Sequence, residues 1–141
     1  MRIALRLPVF LLALVAAAGL AASGPARAGD CAHATTQLQM DQCASQSYHT
    51  AQTQLAVVYG QIAKRLKNDP GKTKLFVTAE TAWANFRDAE CKFASSASAG
   101  GSSYPMVVNS CLQRLTAARV KDLKAYATCA EYDSSCPVPA Q

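Results

Sequence analysis

Six cysteines constrain this chain of 141 residues more than any other feature, and all of them follow an apolar N-terminal stretch. An even number of cysteines in a short exported chain is typical of a disulfide framework, because cystines persist only in oxidising compartments. The nearest two cysteines are seven residues apart, so the CxxC spacing of redox dithiols and zinc sites is absent. His33 lies two residues after Cys31 but has no second ligand pair beside it. We therefore expect three disulfides, no metal site and no cofactor.

The N-terminus has the organisation of a signal peptide. Two arginines begin it, residues 7–22 form an apolar run, and Ala26-Arg27-Ala28 supplies a small-x-small cleavage site. The apolar run is too short and too close to that site for a retained membrane helix. We predict a signal peptide over residues 1–28 and a mature chain over residues 29–141, without a membrane anchor.

The residue before the first cysteine argues against lipid attachment. Acylation signals place a small residue there, whereas this chain has Asp30, and acylating Cys31 would leave an odd number of cysteines. We expect a soluble periplasmic protein, with secretion from the cell as the alternative.

Removal of three signal-peptide arginines lowers the formal net charge from +5 to about +2, which gives little support to nucleic-acid binding.

Apolar spacing predicts three helices, over residues 36–67, 72–94 and 104–127, followed by a non-helical tail over residues 128–141. Thr36 and Gln39 match a capping box at the start of the first helix. Residues 68–71 combine proline and glycine and should end that helix. We predict an all-α fold, an antiparallel bundle of three main helices stapled by disulfides.

Each predicted helix carries an apolar stripe that should face the core. The stripe of the first helix contains Tyr48, Leu55, Val58, Tyr59, Ile62 and Leu66. In the second helix it contains Leu75, Phe76, Ala79, Ala82, Trp83, Phe86 and Phe93. In the third helix it contains Val108, Cys111, Leu112, Leu115, Ala118, Leu123 and Tyr126.

Six cysteines allow fifteen pairings, and the sequence alone does not choose among them. Adjacent antiparallel helices would bring together Cys91 and Cys111, which flank the Ser/Gly-rich loop between the second and third helices. Cys129–Cys136 would hold the tail against the end of the third helix. Cys31–Cys43 would then hold the N-terminal lead against the first helix.

The string W-x-x-F-R-D-x-x-C, followed by G-G-S and a further cysteine, is the most specific local signal. Together with Cys31 and Cys43, it resembles the lysozyme inhibitor LprI-like N-terminal domain family, from Cys31 to about Tyr126. The motif positions are Trp83, Phe86, Arg87, Asp88, Cys91, Gly100, Gly101, Ser102, Pro105, Cys111, Thr116 and Arg119. The resemblance implies a helical, disulfide-bonded protein of the cell envelope, with lysozyme inhibition credited to some members.

Two functions follow as hypotheses. The first is an exported protein-binding domain that inhibits lysozyme-type muramidases, and the second is a periplasmic interaction or scaffolding domain without lysozyme affinity. The candidate binding loop contains Ser98, Gly100, Gly101, Ser102, Ser103 and Tyr104, and a solvated connector is its alternative interpretation.

The charged residues of the motif are interpreted as structural. Arg87 follows Trp83 by four residues, so its guanidinium can stack on the indole, and Asp88 can pair with Lys92 across one turn. We expect Arg87 and Asp88 to bridge the second and third helices near Arg119 or Arg114.

Catalysis is not indicated. Neither histidine, His33 or His49, has an evident nucleophile partner, and Asp88 and Glu90 point to different faces of a helix. The sequence therefore predicts a protein that is not an enzyme and has no catalytic residues.

Overall fold

Three helices make up most of the chain in a computed structural model, which describes residues 31–130 and 133–138. They are α1 (Gln37–Leu66), α2 (Pro70–Ala94) and α3 (Tyr104–Thr128), and the described residues contain no strand. Short 3-10 turns precede α1 and follow α2. The predicted all-α bundle of three helices is confirmed, whereas the predicted signal peptide lies outside the described residues.

The helix ends follow local capping chemistry. Thr36 and Gln39 form the predicted capping box at the start of α1. Asp69 caps α2 by accepting a hydrogen bond from the Lys72 amide at 2.9 Å, and Pro70 occupies the first helical turn. Because an aspartate cap and a first-turn proline both favour helix initiation, α2 starts two residues earlier than predicted.

The helices run up, down and up. α1 and α3 are parallel and form the most extensive contact, whereas α2 runs antiparallel to both and packs more sparsely, mainly against α3. At one end of the bundle the guanidinium of Arg65 donates a hydrogen bond to the backbone oxygen of Ala127, which joins the last turns of α1 and α3.

The apolar core lies at this same end. It consists of buried residues from α1, α3 and the tail, namely Val58, Ile62, Leu66, Leu123 and Val138. Phe76 of α2 packs at its margin and stacks on Tyr59, with ring centroids 4.9 Å apart. The described part of the tail is not helical, as predicted, but Val138 is only 2% exposed, so the tail completes the core.

All six cysteines are paired, in the pattern that helix geometry favoured. Cys31 bonds to Cys43, Cys91 to Cys111 and Cys129 to Cys136, with Cα atoms 5.7, 5.5 and 5.8 Å apart. The first two bridges lie at the opposite end from the core, where buried apolar side chains are scarce. Covalent links therefore hold together the end that has the weakest core.

The predicted core face of α2 is wrong for most of its residues, although Phe76 packs against the core and Trp83 is half-buried. Leu75, Phe86 and Phe93 are 72%, 56% and 77% exposed. Glu80 and Cys91 are the buried residues of this helix, and at 100° per residue they lie about 150° around the helix from Leu75. The bridge from Cys91 to α3 and the ion pair of Glu80 fix this orientation, which turns the apolar stripe towards solvent.

Candidate functional site at the loop end of the bundle

The connection between α2 and α3 is an ordered loop held by its own hydrogen bonds. Ser95 is 1% exposed, and its hydroxyl donates to the Cys91 carbonyl at 2.7 Å. The first residue of the Ser/Gly-rich segment is therefore packed against the helices rather than solvated. The Ser98 hydroxyl donates to the Ser95 carbonyl at 2.8 Å, and the Gly101 amide donates to the Ser98 carbonyl at 3.0 Å.

The two adjacent glycines each have a conformational reason. Gly100 has a φ of +79°, a left-handed conformation that side-chain-bearing residues rarely adopt. A Cβ on Gly101 would lie 3.2 Å from the backbone oxygen of Ser98. Both positions therefore favour glycine to close the turn, independently of any ligand.

The tip of the loop is open to solvent. Gly100, Gly101 and Ser102 are exposed, whereas Ser98, Ser103 and Tyr104 are half-buried. The Cys91–Cys111 bridge ties the helices at the base of the loop. The six predicted binding-loop residues thus form one short loop that is exposed at its tip and covalently tethered at its base.

Two shallow grooves lie between α1 and α3 at the same end of the bundle as this loop. One has a volume of about 490 Å³ and is lined by His49 and Pro105 among others. The other has a volume of about 380 Å³ and includes the Cys31–Cys43 bridge and Met106 in its lining. The loop end of the bundle therefore combines an exposed loop with two shallow grooves between α1 and the first turns of α3.

A second cluster occupies the middle of α2, away from the loop. The Arg87 and Arg119 guanidinium carbons lie 5.2 and 6.0 Å from the Trp83 ring centroid, and that of Arg87 lies 5.8 Å from the Tyr48 ring centroid. Nε of Arg119 donates to Oε1 of Glu80 at 3.0 Å, and its Nη2 approaches the same oxygen. The predicted stacking of Arg87 on Trp83 is confirmed.

The predicted ion pairs of this cluster are wrong. Asp88 accepts from the neighbouring Arg87 at 2.7 Å rather than pairing with Lys92. Arg119 pairs with Glu80, a residue that no sequence motif singled out. Arg87 therefore joins α2 to α1 through Tyr48 instead of bridging to α3. Glu80 lies three residues before Trp83 and seven before Arg87, and this helical spacing was the available signal.

Comparison with known proteins places this geometry in a family. Residues 29–123 match the family described as Lysozyme inhibitor LprI. The chain belongs to the LprI family. An uncharacterized protein of Rhizobium meliloti (strain 1021) is 30% identical over 113 residues, covering 72% of this chain and 81% of the relative. A crystal structure of a DUF1311 family protein from Pseudomonas putida KT2440 is similar with a TM-score of 0.59 and 27% identity, covering 64% of this chain and 92% of that one.

Of the remaining motif residues of this LprI family member, some are buried in the bundle and others are exposed to solvent. Thr116 is fully buried on α3, and Pro105 stands in the first turn of that helix. Phe86 is exposed, although its position in the motif suggested core packing. The motif therefore specifies a helix orientation and a loop, together with one exposed aromatic side chain that the core does not explain.

The titration and metal-binding chemistry of the described residues is limited. Residues 31–130 and 133–138 contain no group of three His, Cys, Asp or Glu side chains placed to hold a metal ion. In the tail, hydrogen bonds from the Ser135 side chain and amide lower the pKa of Asp133. None of the described helices is long and apolar enough to cross a membrane. LprI is a family of inhibitors rather than of enzymes.

Proposed function

We propose that this chain is an exported protein-binding domain that inhibits lysozyme-type muramidases through the loop end of its bundle. Membership of the lysozyme inhibitor LprI family supplies the class of partner. The observation that carries the proposal is the Ser98–Tyr104 loop, whose tip is exposed to solvent and whose flanking helices are joined by the Cys91–Cys111 disulfide. Export to the periplasm brings the domain to the compartment where its disulfides form and where muramidases attack the cell wall.

The order of the loop favours insertion into a cleft. Internal hydrogen bonds and the bridge at its base restrict the loop before binding, so little conformational entropy is lost on docking. Tyr104, half-buried at the edge of the loop, supplies an aromatic anchor. Small side chains at the tip let the backbone approach a partner closely.

Charge contributes through local contacts rather than long-range steering. Lysozymes are commonly strongly basic, and a mature chain of about +2 would not attract them over long distances. Asp88, whose side chain is 61% exposed, lies nearly two helical turns before the end of α2 and provides an acidic group on the same helix that leads into the loop. Added positive charge at the loop tip should therefore weaken the complex.

The test is lysozyme activity on cell-wall substrate with increasing amounts of the oxidised protein. Chicken-type, goose-type and invertebrate-type enzymes are assayed in parallel, and we expect inhibition of at least one at micromolar concentrations. A lack of inhibition in all three at tens of micromolar would contradict the proposal and favour an interaction domain without lysozyme affinity.

A matched pair of substitutions assigns the inhibitory surface. Ser102→Arg places a cation at the exposed loop tip, whereas Asn68→Arg makes a comparable change in the exposed turn at the opposite end of the bundle. We expect Ser102→Arg to raise the half-inhibitory concentration about tenfold and Asn68→Arg to leave it unchanged. Equal effects of the two variants would exclude the loop as the binding surface.

A further inference from the structure

The solvent-facing side of α2 is an apolar stripe with coiled-coil spacing. Its residues are separated by alternating steps of four and three, and this set is called the outer face below: Leu75, Ala79, Ala82, Phe86, Ala89 and Phe93. All six are exposed. The outer face runs for about 27 Å along the helix, and steps of four and three are the spacing at which two helices pack against each other.

The stripe is symmetric about its own centre. If a second copy of α2 is laid antiparallel with the two-fold axis near Ala84, each residue of the outer face meets another residue of the outer face. Leu75 then lies opposite Phe93 of the second copy, Ala79 opposite Ala89, and Ala82 opposite Phe86. Each phenylalanine faces a smaller side chain, so the two faces interlock without two aromatic rings competing for one space.

From this match we infer that the protein self-associates as a symmetric dimer through the outer face of α2. The occupant of the face is a second copy of the same chain, held by an isologous contact. The inference stands independently of the proposed lysozyme inhibition, since the face lies on the side of α2 and its central residues are several turns from the loop.

A cavity at one end of the outer face adds a receptor for the second copy. It has a volume of about 350 Å³, and its walls include Leu75 and Ala79 of the outer face together with Tyr126 and Val138. In the antiparallel arrangement Phe93 of the second copy arrives beside Leu75, at the mouth of this cavity. Phe93 of one copy, which is 77% exposed, thereby meets an apolar cavity beside the core of the other.

The residues that flank the outer face are compatible with this register. Lys92 falls level with Phe76 of the second copy and Glu90 level with Thr78, so no like charges meet directly. Asn85 falls next to Asn85 of the second copy, where the two amides can exchange hydrogen bonds. A parallel pairing would instead oppose Lys92 to Lys92 and Phe93 to Phe93.

The area available indicates a dimer of moderate affinity. The exposed parts of Leu75, Phe86 and Phe93 amount to roughly 400 Å², since aromatic side chains carry about 150–250 Å² each. Two copies would bury roughly 1,000 Å² in total, at the low end of specific interfaces. We expect a Kd in the micromolar range, so the dimer forms as concentration rises.

The first experiment measures mass against concentration, by sedimentation equilibrium of the oxidised protein from roughly 5 to 500 µM. We expect a monomer–dimer equilibrium that Ala82→Glu shifts by at least about thirtyfold, because the carboxylate would be buried against Phe86. The control is Thr81→Glu, an exposed position about 120° around the helix from the outer face, which should behave as wild type.

The second experiment tests the register with single added cysteines, since all six native cysteines are paired. Asn85→Cys should cross-link to itself across the two-fold axis. Thr78→Cys should not, because its counterpart lies about 18 Å away along the antiparallel helix. Cross-linking of both variants would show a parallel pairing and overturn the proposed arrangement.

Three results decide the inference. Dimerisation that Ala82→Glu abolishes and Thr81→Glu retains supports it. A monomer at every concentration overturns it, as does a dimer that Ala82→Glu leaves intact. If the wild-type protein forms no dimer and Ala82→Glu loses lysozyme inhibition, the outer face is a docking surface for another protein, and the inferred dimer is overturned. If the protein dimerises but does not inhibit lysozyme, only the proposed function is rejected.

Discussion

The two faces of α2 reverse the usual distribution of polar and apolar side chains. Its inward face carries Glu80, Arg87 and the half-buried Trp83, whereas its outward face carries Leu75, Phe86 and Phe93. In α1 the relation is the ordinary one, since Val58, Ile62 and Leu66 are buried. An ion pair, a disulfide and ring–guanidinium contacts orient α2, and hydrophobic burial contributes less.

This difference explains why a thin bundle can leave two phenylalanines in water. α1 and α3 supply the core between them, so α2 needs only one strip of contacts to be fixed in place. The Cys91–Cys111 bridge and the Glu80–Arg119 pair occupy that strip. The apolar stripe on the opposite side is then available for contacts with other molecules.

The largest expected effect comes from breaking the ion pair on the inward face. Arg119→Met leaves the Glu80 carboxylate, whose side chain is 10% exposed, without its partner. We expect the free energy of unfolding to fall by about 3–5 kcal/mol. Urea unfolding followed by the fluorescence of the single tryptophan measures it.

The double variant Glu80→Leu/Arg119→Met serves as the control for that change. Removing both charges avoids an unpaired buried carboxylate, so the double variant should be clearly more stable than Arg119→Met alone. If Arg119→Met were as stable as the double variant, the Glu80–Arg119 pair would behave as a surface ion pair. Polar contacts would then contribute little to the stability of the inward face of α2.

A matched truncation on the core and on the outer face has the next largest effect. Leu123 is 0% exposed and Leu75 is 72% exposed, so the same Leu→Ala change removes a buried side chain in one case and an exposed one in the other. We expect a loss of about 3 kcal/mol for Leu123→Ala. For Leu75→Ala we expect a change within about 0.5 kcal/mol.

Both truncations are compared at low micromolar protein, where self-association contributes little to stability. A cost at Leu75 as large as that at Leu123 would mean that the outer face is buried within the monomer. A neutral Leu75→Ala combined with weakened dimerisation would separate folding from association on this face.

Local sequence chemistry predicted the elements of this fold but not the orientation of α2. Thr36, Pro70 and the loop glycines act within a few residues of themselves, so helix starts and turns are readable from the chain. The 3.6-residue period of α2 gives two candidate faces, and hydropathy selects the more apolar one. The observed choice depends on Arg119, 39 residues from Glu80 along the chain.

The candidate site was partly readable for the same reason. The Ser98–Tyr104 loop and its flanking cysteines are local, and the sequence located both. The burial of Ser95 and of Val138 arises from contacts made only after the helices pack, and no local pattern signals it. The exposure of Phe86 likewise follows from the packing of α2 as a whole.

A buried hydroxyl on α3 provides a smaller test of how polar the inner contacts are. Thr116 is fully buried, and its Oγ1 has no hydrogen-bond partner in the part of the chain that the structure describes. Thr116→Val keeps the branched shape and removes the unsatisfied group. We expect a gain of about 1 kcal/mol in the free energy of unfolding, measured by urea unfolding.

Thr81→Val is the matched control, since Thr81 is exposed and its hydroxyl donates to the Val77 carbonyl at 2.8 Å. It should leave stability nearly unchanged. A loss of stability in Thr116→Val would show that this hydroxyl is satisfied in solution, which would extend the polar inner contacts from α2 to α3.

The smallest expected effect concerns the stacking of Arg87 on Trp83 and Tyr48. Arg87→Gln removes the cation that lies 5.2 Å from the indole centroid and 5.8 Å from the phenol ring centroid. We expect a loss of about 0.5–1 kcal/mol together with a shift in tryptophan emission. Arg87→Lys keeps the charge without the planar group and should restore only part of the loss.

Asp88→Asn distinguishes the stack from the ion pair that Arg87 also makes. The carboxylate side chain of Asp88 is 61% exposed, and ion pairs in such positions contribute little. Its loss should therefore cost less than Arg87→Gln and leave the emission of Trp83 unchanged. If Asp88→Asn instead cost more stability than Arg87→Gln, the ion pair with Asp88 would orient Arg87. The contacts with the aromatic rings would then contribute little to holding α2 in place.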